Sequence, residues 1–350
     1  MIYLICQDWS NTSNNHAGMK YLCNRLQDLH PELYRSFVIP SYVDERIFSK
    51  NCIIRKLQMA YARYQTKSFC RRLVKDLMYS LRPGDTVFLT EYLERLSPMK
   101  FLADEISSRC LFVKIWAIIH LVPQKLSQSF PNENQIVGWL KNISLAFTFG
   151  HSLSDYLISI GVDKSKIVTT FHYVDDFYLA QLISRKSECV NVIAMGNQAR
   201  NIELLRRVAE DNPDVHFTIC QGVVDMSNIF SGCSNVSLIP FVPEADLRAY
   251  MKNADISLNV MQDTIGSNVI VTSMAMGLAM VCSDVGSIRD YCDETNTLFC
   301  SNDSVKDFSN AITKLSKNLD LLYDMKRSAW DKAKRFSIEN FHCAIKKFVE

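Results

Sequence analysis

The sequence predicts an α/β protein made of two doubly wound domains. The chain has 350 residues, more than the roughly 250–300 at which a single hydrophobic core stops growing. Short apolar runs alternate along the chain with amphipathic helical stretches, a pattern typical of parallel sheets covered on both faces. This alternation is interrupted once, around residues 173–188. We therefore predict two Rossmann-like domains that face a cleft and are joined near that interruption.

The predicted strands are short apolar runs bounded by turn residues, and in the predicted helices apolar residues recur every three to four positions. The first half has strands at 2–6, 36–40, 86–90, 110–120, 144–150 and 166–171, and helical stretches at 18–29, 47–81, 97–108 and 152–160. The second half has strands at 190–196, 215–220, 236–241, 255–261, 279–284 and 297–300, helices at 203–212, 244–253 and 267–277, and a short element at 287–292. The last stretch, 305–349, is predicted to be helical.

Composition excludes several classes of protein. The net charge is +2, from 39 Lys and Arg against 37 Asp and Glu, whereas a dedicated nucleic-acid binder usually has a clear basic excess. The 12 cysteines are scattered without a CxxC pair, which argues against a zinc ribbon or a thioredoxin-like site and favours reduced thiols. The first residues, MIYLICQDW, lack the basic region of a signal peptide, and no stretch is apolar enough to span a membrane. We expect a cytoplasmic protein.

Charge is distributed unevenly. Residues 1–172 contain 21 Lys and Arg against 14 Asp and Glu, a difference of +7, and residues 173–350 contain 18 against 23, a difference of −5. Within 46–82 there are ten basic residues and one acidic residue, with apolar side chains at helical spacing between them. Such a segment is either an ordinary solvated helix face or a surface that binds anionic lipid or a polyanionic acceptor. Both interpretations stay open at this point.

The strongest local signal is the segment 266–292, GSNVIVTSMAMGLAMVCSDVGSIRDYC. Gly266, Ser267 and Asn268 follow a predicted strand and begin a helix of small and apolar residues that ends near Gly277. The N–H groups at the start of a helix bind anions without any cationic side chain. The segment therefore predicts a βαβ unit that binds a phosphate group, as in a dinucleotide, a nucleotide-sugar or a phosphosugar.

This segment resembles the donor site of GT-B glycosyltransferases of family 4, the glycosyl transferases group 1. Four further segments resemble parts of that family in the same order: 147–179, 191–208, 236–261 and 328–349. The resemblance implies an acceptor-binding N-terminal domain at 1–172, a nucleotide-sugar-binding domain at 173–328, and a C-terminal helix at 329–350 that returns to the first domain.

The resemblance also implies the site residues. Residues implied to bind the donor or its nucleotide are Gly18, Gly196, Asn197, Arg200, Phe241, Asp263, Ser267, Asn268, Val269 and Thr272. Asn14 and Asn15 are implied to bind the acceptor, and His120 and His16 to act at the reacting centre. The family usually has two Glu residues in an E-x7-E pattern, but the matching positions here are Thr264 and Thr272, with Asp263 beside the first.

The function implied is sugar transfer from a nucleotide-diphosphate-sugar to a hydroxyl of a glycan, with retention of the anomeric configuration. No metal and no cofactor other than this co-substrate are expected. The setting implied is a lipid-linked surface polysaccharide, such as lipopolysaccharide or capsule, with the enzyme peripheral at the inner face of the plasma membrane. A nucleotide-sugar epimerase and a non-catalytic GT-B subunit remain as alternatives, and the missing Glu pair favours the latter.

Overall fold

The computed structural model describes residues 1–9, 16, 18–42, 49–179, 189–196, 199–222 and 224–349. The chain divides into two compact units, one formed by Met1–Thr170 with His342–Glu350 and the other by Phe171–Phe341. Each unit contains a six-stranded parallel sheet with helices between the strands. The predicted α/β fold class is therefore confirmed. The boundary between the two units lies after Thr170, whereas it was predicted after residue 172. Of the predicted C-terminal segment 329–350, residues 329–341 belong to the second unit.

The first unit follows the βαβ alternation closely. Its strands are β1 (Ile2–Asp8), β2 (Tyr34–Pro40), β3 (Thr86–Leu89), β4 (Lys114–Ile119), β5 (Leu145–Thr148) and β6 (Ile167–Thr169). Its helices are α1 (Met19–Leu29), α2 (Cys52–Ser80), α3 (Met99–Arg109), α4 (Pro123–Ser129), α5 (Asn134–Trp139) and α6 (His151–Ser159). The strand order is β2-β1-β3-β4-β5-β6. Aromatic rings from β3, β4 and β5 meet in its core, where Phe88 lies 5.7 Å from Trp116 and 5.0 Å from Phe147.

The second unit repeats the architecture. Its strands are β7 (Asn191–Met195), β8 (His216–Gly222), β9 (Val236–Pro240), β10 (Ile256–Asn259), β11 (Ala279–Ser283) and β12 (Thr297–Cys300). Its helices are α7 (Ile202–Glu210), α8 (Glu244–Lys252), α9 (Asn268–Ala275), α10 (Val305–Lys317) and α11 (Leu319–Ala333); α12 (Ile338–Lys346) crosses the boundary at His342. The strand order is β12-β11-β10-β7-β8-β9. The strands read as apolar runs because both faces of the sheet are covered.

Several local predictions differ from the structure. The helices α4 and α5 were not predicted, and 287–292 contains only a short 3-10 turn at Ile288–Asp290. The stretch 305–349 is interrupted at Asn318, whose side chain caps α11, and again at 334–337. Among the described residues, none of the helices combines the length and apolar character needed to cross a bilayer.

Candidate active site

The strand order of the second unit fixes where a ligand binds. From β7 the chain adds β8 and β9 on one side, and then returns to add β10, β11 and β12 on the other. Ligands of open α/β sheets bind beyond the carboxyl ends of the strands where the order reverses. In this unit that point lies between β7 and β10. The loops that follow these two strands contain Gly196, Arg200 and the segment 263–269.

The loop after β7 is held against the loop after β10. The backbone of Arg200 pairs with Met261 in an isolated antiparallel bridge, and Gln262 N donates to the carbonyl of Ala199 at 2.7 Å. Gly196 has a φ of +81°, and a Cβ there would lie 3.1 Å from Val269 Cγ2 and 3.5 Å from Arg200 Nη2. A glycine is therefore required, because the backbone is left-handed and the neighbouring side chains leave little room.

Arg200 is a partly buried cation that no carboxylate of the described residues pairs with. Its Nη1 donates to Oδ1 of Asn259 at 3.1 Å, and Asn259 Nδ2 donates in turn to Ser257 Oγ at 3.0 Å. Burial lowers the pKa of Arg200 to about 10. This value is still well above neutral pH, and the guanidinium therefore remains protonated there. Within the described part of the chain no carboxylate forms an ion pair with Arg200, whereas Arg206 on α7 is paired with Glu203 and Glu210.

The amino end of α9 lies at the same edge of the sheet. Ser267 precedes the helix in an extended conformation, and its side chain does not cap it. Its Oγ is buried and has no hydrogen-bond partner among the described residues. The first N–H groups of a helix lack intrahelical acceptors. The backbone of Asn268 and Val269 therefore presents donors beside a hydroxyl that is itself free to donate.

Two glycines hold the loop before α9 in place. Gly266 has a φ of +87°, and a Cβ there would lie 2.1 Å from the ring of Tyr291. That ring is buried and its hydroxyl accepts a hydrogen bond from His172 N at 2.8 Å. Gly286, with a φ of +53°, approaches so closely that a Cβ would lie 2.1 Å from the carbonyl oxygen of Thr264. The conformation of the loop before α9 is thus set by the turn that follows β11.

The positions that match the family's Glu pair carry no carboxylate. Thr264 is buried, and its Oγ1 accepts a hydrogen bond from Gly266 N at 3.1 Å. Asp263 Oδ1 accepts from Thr264 N at 2.7 Å and so helps to shape the same loop. Thr272 is buried in the second turn of α9. These three side chains contact the loop and the core rather than forming an acidic pair.

One further residue predicted to bind the donor follows β9. Phe241 comes directly after this strand, at the same edge of the sheet, and 64% of its surface is exposed. An exposed aromatic ring is suited to stack on a nucleobase, although β9 is the outermost strand, two strands away from β7. The predicted donor residue Asn197 lies outside the described residues.

In the first unit the predicted residues lie in two places, between β1 and α1 and directly after β4. His120 comes directly after β4, is partly buried, and has its ring 6.4 Å from that of Phe149. His16 stacks on Tyr21 with the ring centroids 4.5 Å apart. Gly18 precedes α1 in an extended conformation. The predicted acceptor residues Asn14 and Asn15 lie outside the described residues.

A buried carboxyl group that the sequence did not indicate lies where the order of the first sheet reverses, between β1 and β3. Glu91 follows β3, and its Oε2 accepts a hydrogen bond from Gln7 N of β1 at 3.1 Å. Burial raises the pKa of Glu91 to about 7, although hydrogen bonds from Gln7, Trp9 and Thr90 act to lower it. Its backbone is left-handed, with a φ of 56°. Such strain in a residue without β-branching usually marks a functional or tightly fixed loop.

The end of β1 adds further polar atoms to this edge. Asp8 Oδ2 forms an ion pair with Lys20 of α1 at 3.0 Å. Asp8 Oδ1 and Gln7 Oε1 are buried, and neither has a partner within the described ranges. These atoms are hydrogen-bond acceptors, so this edge offers acceptors and the edge of the second unit offers donors. The two edges therefore suit ligands of different chemistry, a neutral polyhydroxyl compound and an anion.

Comparisons with known proteins give a matching sequence family for part of the chain and similar folds for the whole of it. Residues 182–318 match the sequence family described as glycosyl transferases group 1. The chain is similar in structure to a sucrose-phosphate synthase from Thermosynechococcus elongatus, with a TM-score of 0.75 and 11% identity over 99% of this chain and 97% of that one. It is also similar to HepE from Anabaena in complex with UDP and glucose, with a TM-score of 0.71 and 12% identity over 99% and 98% of the two chains. No curated protein sequence matches the chain.

A third similar structure is the lipopolysaccharide outer core galactosyltransferase WaaB, with a TM-score of 0.68 and 12% identity over 99% of both chains. At these identities the structural matches show the fold, which is the GT-B fold. The family match covers the strands and helices of the second unit from β7 to α10. The resemblance found in the sequence is confirmed: the chain has the GT-B fold, and its residues 182–318 match the family of glycosyl transferases group 1.

Proposed function

We propose that the protein transfers a sugar from a nucleoside-diphosphate-sugar to a hydroxyl group of a glycan. The observation that carries this proposal is the arrangement of the loops after β7 and β10 and the amino end of α9, which we call the donor edge of the second unit. There Arg200, which has no acidic partner among the described residues, and the amino end of α9, with the unpartnered Ser267 Oγ, converge on the point where the strand order reverses. An edge with several hydrogen-bond donors and a cation that no described carboxylate pairs with fits a diphosphate.

These groups also explain how transfer is promoted. Negative charge develops on the diphosphate as its bond to the anomeric carbon breaks, and fixed donors at this position stabilise that charge. Arg200 contributes a cation, and Ser267, Asn268 and Val269 contribute the hydroxyl and N–H donors. We propose that they do so without a bound metal. Phe241 stacks on the base, Asn197 binds the nucleotide, and Asp263 and Thr272 bind the ribose or the donor sugar.

The first unit supplies the acceptor side of the reaction. We assign His120 and His16 to the reacting groups, Gly18 to the donor phosphates, and Asn14 and Asn15 to the acceptor. The resemblance to group 1 supports retention of the anomeric configuration. The hydroxyl groups of a glycan can donate hydrogen bonds to the oxygen atoms at the ends of β1 and β3, which need hydrogen-bond donors.

The setting proposed is the assembly of a lipid-linked surface polysaccharide at the inner face of the plasma membrane. HepE is described in complex with UDP and glucose, and WaaB as a galactosyltransferase of the lipopolysaccharide outer core. Both have the fold of this chain. These likenesses support a UDP-sugar as the first donor to test and a lipid-linked glycan as the first acceptor.

A second candidate function rests on the missing Glu pair. Because Thr264 and Thr272 are buried and neutral, the donor edge lacks the carboxylates with which group members hold the donor. A subunit that binds a nucleotide-sugar without transferring the sugar would need only the diphosphate site. Such a protein would bind nucleoside diphosphates normally and show no turnover.

The experiment is an assay of nucleoside diphosphate release with a panel of UDP-, GDP-, dTDP- and ADP-sugars, with and without glycan acceptors. Acceptor-dependent release with one donor, unchanged by EDTA, is the expected result, and NMR of the product should show the donor's anomeric configuration. Binding without release for every donor and acceptor would favour the non-catalytic subunit. Conversion of the donor to an isomer without transfer would favour the epimerase.

A further inference from the structure

The helix α2 has two apolar faces, only one of which is covered. On its inner face Ala62, Thr66, Cys70, Leu73, Val74 and Leu77 are buried. The helix packs with β2 and α3, and Lys67 lies 5.2 Å from the centroid of the Phe101 ring of α3. The inner face begins only at Ala62, so the first turns of α2 have no buried residue. The sequence shows apolar residues at helical spacing along the whole of this segment. In the structure, those near the amino end of α2 and those near its carboxyl end lie on different faces of the helix.

In the first four turns of α2 the outer face carries five large apolar side chains, which we call the outer stripe. They are Ile53, Ile54, Leu57, Tyr61 and Tyr64, with exposed fractions of 67%, 48%, 66%, 63% and 66%. At about 100° per residue, all five fall within an arc of about 100°, roughly opposite the buried face. Single exposed apolar residues are ordinary, but a contiguous group of this kind marks a surface that binds something.

The charges around the outer stripe are uniformly basic. Between Asn51 and Lys75 the helix carries Arg55, Lys56, Arg63, Lys67, Arg71, Arg72 and Lys75 and no Asp or Glu. The next acidic residue is Asp76. By the same helical geometry, Arg71, Arg72 and Lys75 continue the outer stripe towards the carboxyl end of α2, and all three are exposed.

These features together identify the chemistry of the partner. A second copy of this chain would place one cationic stripe against another, which is electrostatically unfavourable. An anionic bilayer surface matches both the charge and the apolar groups, and Tyr prefers the level of the lipid headgroups. The outer stripe is about 17 Å long, so it fits a helix that lies in the interface rather than one that crosses it.

We propose that the outer stripe of α2 is the membrane-binding surface of this protein. Ile53, Leu57, Tyr61 and Tyr64 enter the interface of an anionic bilayer, and Arg71, Arg72 and Lys75 bind lipid headgroups. This inference deepens the membrane setting of the proposed function, because it assigns that setting to named side chains. It does not require that the acceptor be lipid-linked.

The test is cosedimentation of the full-length protein with vesicles of phosphatidylglycerol and phosphatidylcholine, or of phosphatidylcholine alone. The wild type should bind the anionic vesicles, and salt should release it, because the field of the surface decays over about 8–10 Å at physiological ionic strength. Leu57→Ser with Tyr61→Ser should weaken binding by about tenfold or more. Arg71→Gln with Arg72→Gln and Lys75→Gln should weaken it by up to about 100-fold, since each cation contributes up to about fivefold.

Matched controls separate the stripe from general surface effects. Leu111→Ser with Leu319→Ser removes two other exposed apolar side chains, and Lys306→Gln with Lys314→Gln and Lys317→Gln removes three exposed cations on α10. Both should bind vesicles as the wild type does. Loss of binding to the same extent in stripe and control variants would overturn the proposal, as would a wild type that does not bind anionic vesicles at low salt.

Two further readings complete the test. If the wild type is a dimer without lipid, and Leu57→Ser with Tyr61→Ser makes it a monomer without changing its binding to vesicles, the stripe is a self-association surface and the proposal is wrong. The affinity of the stripe variant for nucleoside diphosphate should equal that of the wild type. A wild type that binds vesicles through the stripe but binds no nucleotide would overturn the proposed function and leave this inference standing.

Discussion

At the scale of single residues, we expect donor binding to depend most on Arg200. It is the cation of the donor edge, and its Nη1 is already oriented by Asn259. A hydrogen bond from a charged group contributes about 1.5–3 kcal/mol, so Arg200→Ala should weaken nucleoside diphosphate binding by about 10–150-fold. Isothermal titration calorimetry measures this change. Arg206→Ala removes a partly buried, ion-paired arginine from α7 and is the matched control, for which the affinity should not change.

His120 should act in turnover rather than in folding. It lies at the carboxyl end of β4 and is only partly buried, so its removal leaves the core of the first sheet intact. His120→Ala should lower the transfer rate by about 100-fold or more, with little change in the melting temperature. Steady-state kinetics and thermal denaturation of the same preparation decide the matter. A large loss of stability with normal specific activity would show that His120 is structural.

Glu91 should make stability fall as the pH rises. Its pKa in the folded protein, about 7, is above its ordinary value of 4.5, so between these values the unfolded chain releases a proton that the folded protein keeps. The contribution of this group is therefore greatest below pH 4.5 and is lost by pH 7. Glu91→Gln should gain about 2–3 kcal/mol relative to the wild type between pH 4.5 and pH 8.

Denaturant unfolding of both proteins across this pH range measures the difference. The comparison with the wild type is necessary because His172, whose pKa is lowered to about 4 by burial, stabilises the folded protein at high rather than low pH. Glu133→Gln, which alters an exposed carboxyl group, should follow the wild-type curve. If Glu91→Gln also follows it, the Glu91 carboxyl is ionised in the folded protein and its burial does not matter.

Residue chemistry was predictable where backbone and side chain act together. The Gly266-Ser267 turn and Arg200 could be named from the sequence because a glycine before a helix and a lone arginine after a strand are visible as local patterns. Glu91 and Asn259 could not, because one carboxylate after a strand looks like any surface acid until its burial is known. Asn259 lies within the apolar run DISLNVM, and a polar residue in such a run is a signal that could have pointed to the buried polar network.

At the scale of elements, the start of α9 depends on the room beneath Gly266. A Cβ at Gly266 would collide with the buried ring of Tyr291, and the φ of +87° is itself unfavourable for alanine. Gly266→Ala should therefore destabilise the protein by about 3 kcal/mol or more and weaken nucleotide binding, since strain and steric overlap add. Gly232→Ala, at a positive φ but with open space around the Cβ, should cost only about 1 kcal/mol.

Chemical denaturation together with calorimetry measures both variants. Equal losses of stability in the two would mean that only the backbone conformation matters, and the contact of Tyr291 with this turn would have no energetic role. Unchanged nucleotide binding in a folded Gly266→Ala protein would remove the start of α9 from the donor site.

Elements with a clear period were predicted well, and the misses have physical causes. The strands of both sheets coincide with apolar runs because parallel strands are buried on both faces. The helices α4 and α5 were missed because each is too short to display a helical period. In α2 the two apolar faces follow one another along the chain, so the sequence shows one continuous amphipathic segment. In the structure, other elements bury apolar side chains only in the part of the helix from Ala62 onwards.

At the scale of the whole molecule, the sequence predicted two α/β domains but not the order of the strands. The order depends on the side to which each helical crossover returns, and this choice leaves no mark in the local sequence. It nevertheless decides function here, because it places the loops after β7 and β10 side by side. The basic first half and the acidic second half were visible from composition, whereas the separation of α2 into covered and exposed faces was not.

The central claim is that a nucleoside diphosphate binds at the point in the second sheet where the strand order reverses. A crystal structure of the protein with the nucleoside diphosphate of its preferred donor tests it most directly. The phosphate oxygens should lie within about 3 Å of Ser267 Oγ, the N–H groups of Asn268 and Val269, and the guanidinium of Arg200. A diphosphate bound elsewhere, for instance at the ends of β1 and β3, with Arg200 still bonded only to Asn259, would contradict the account.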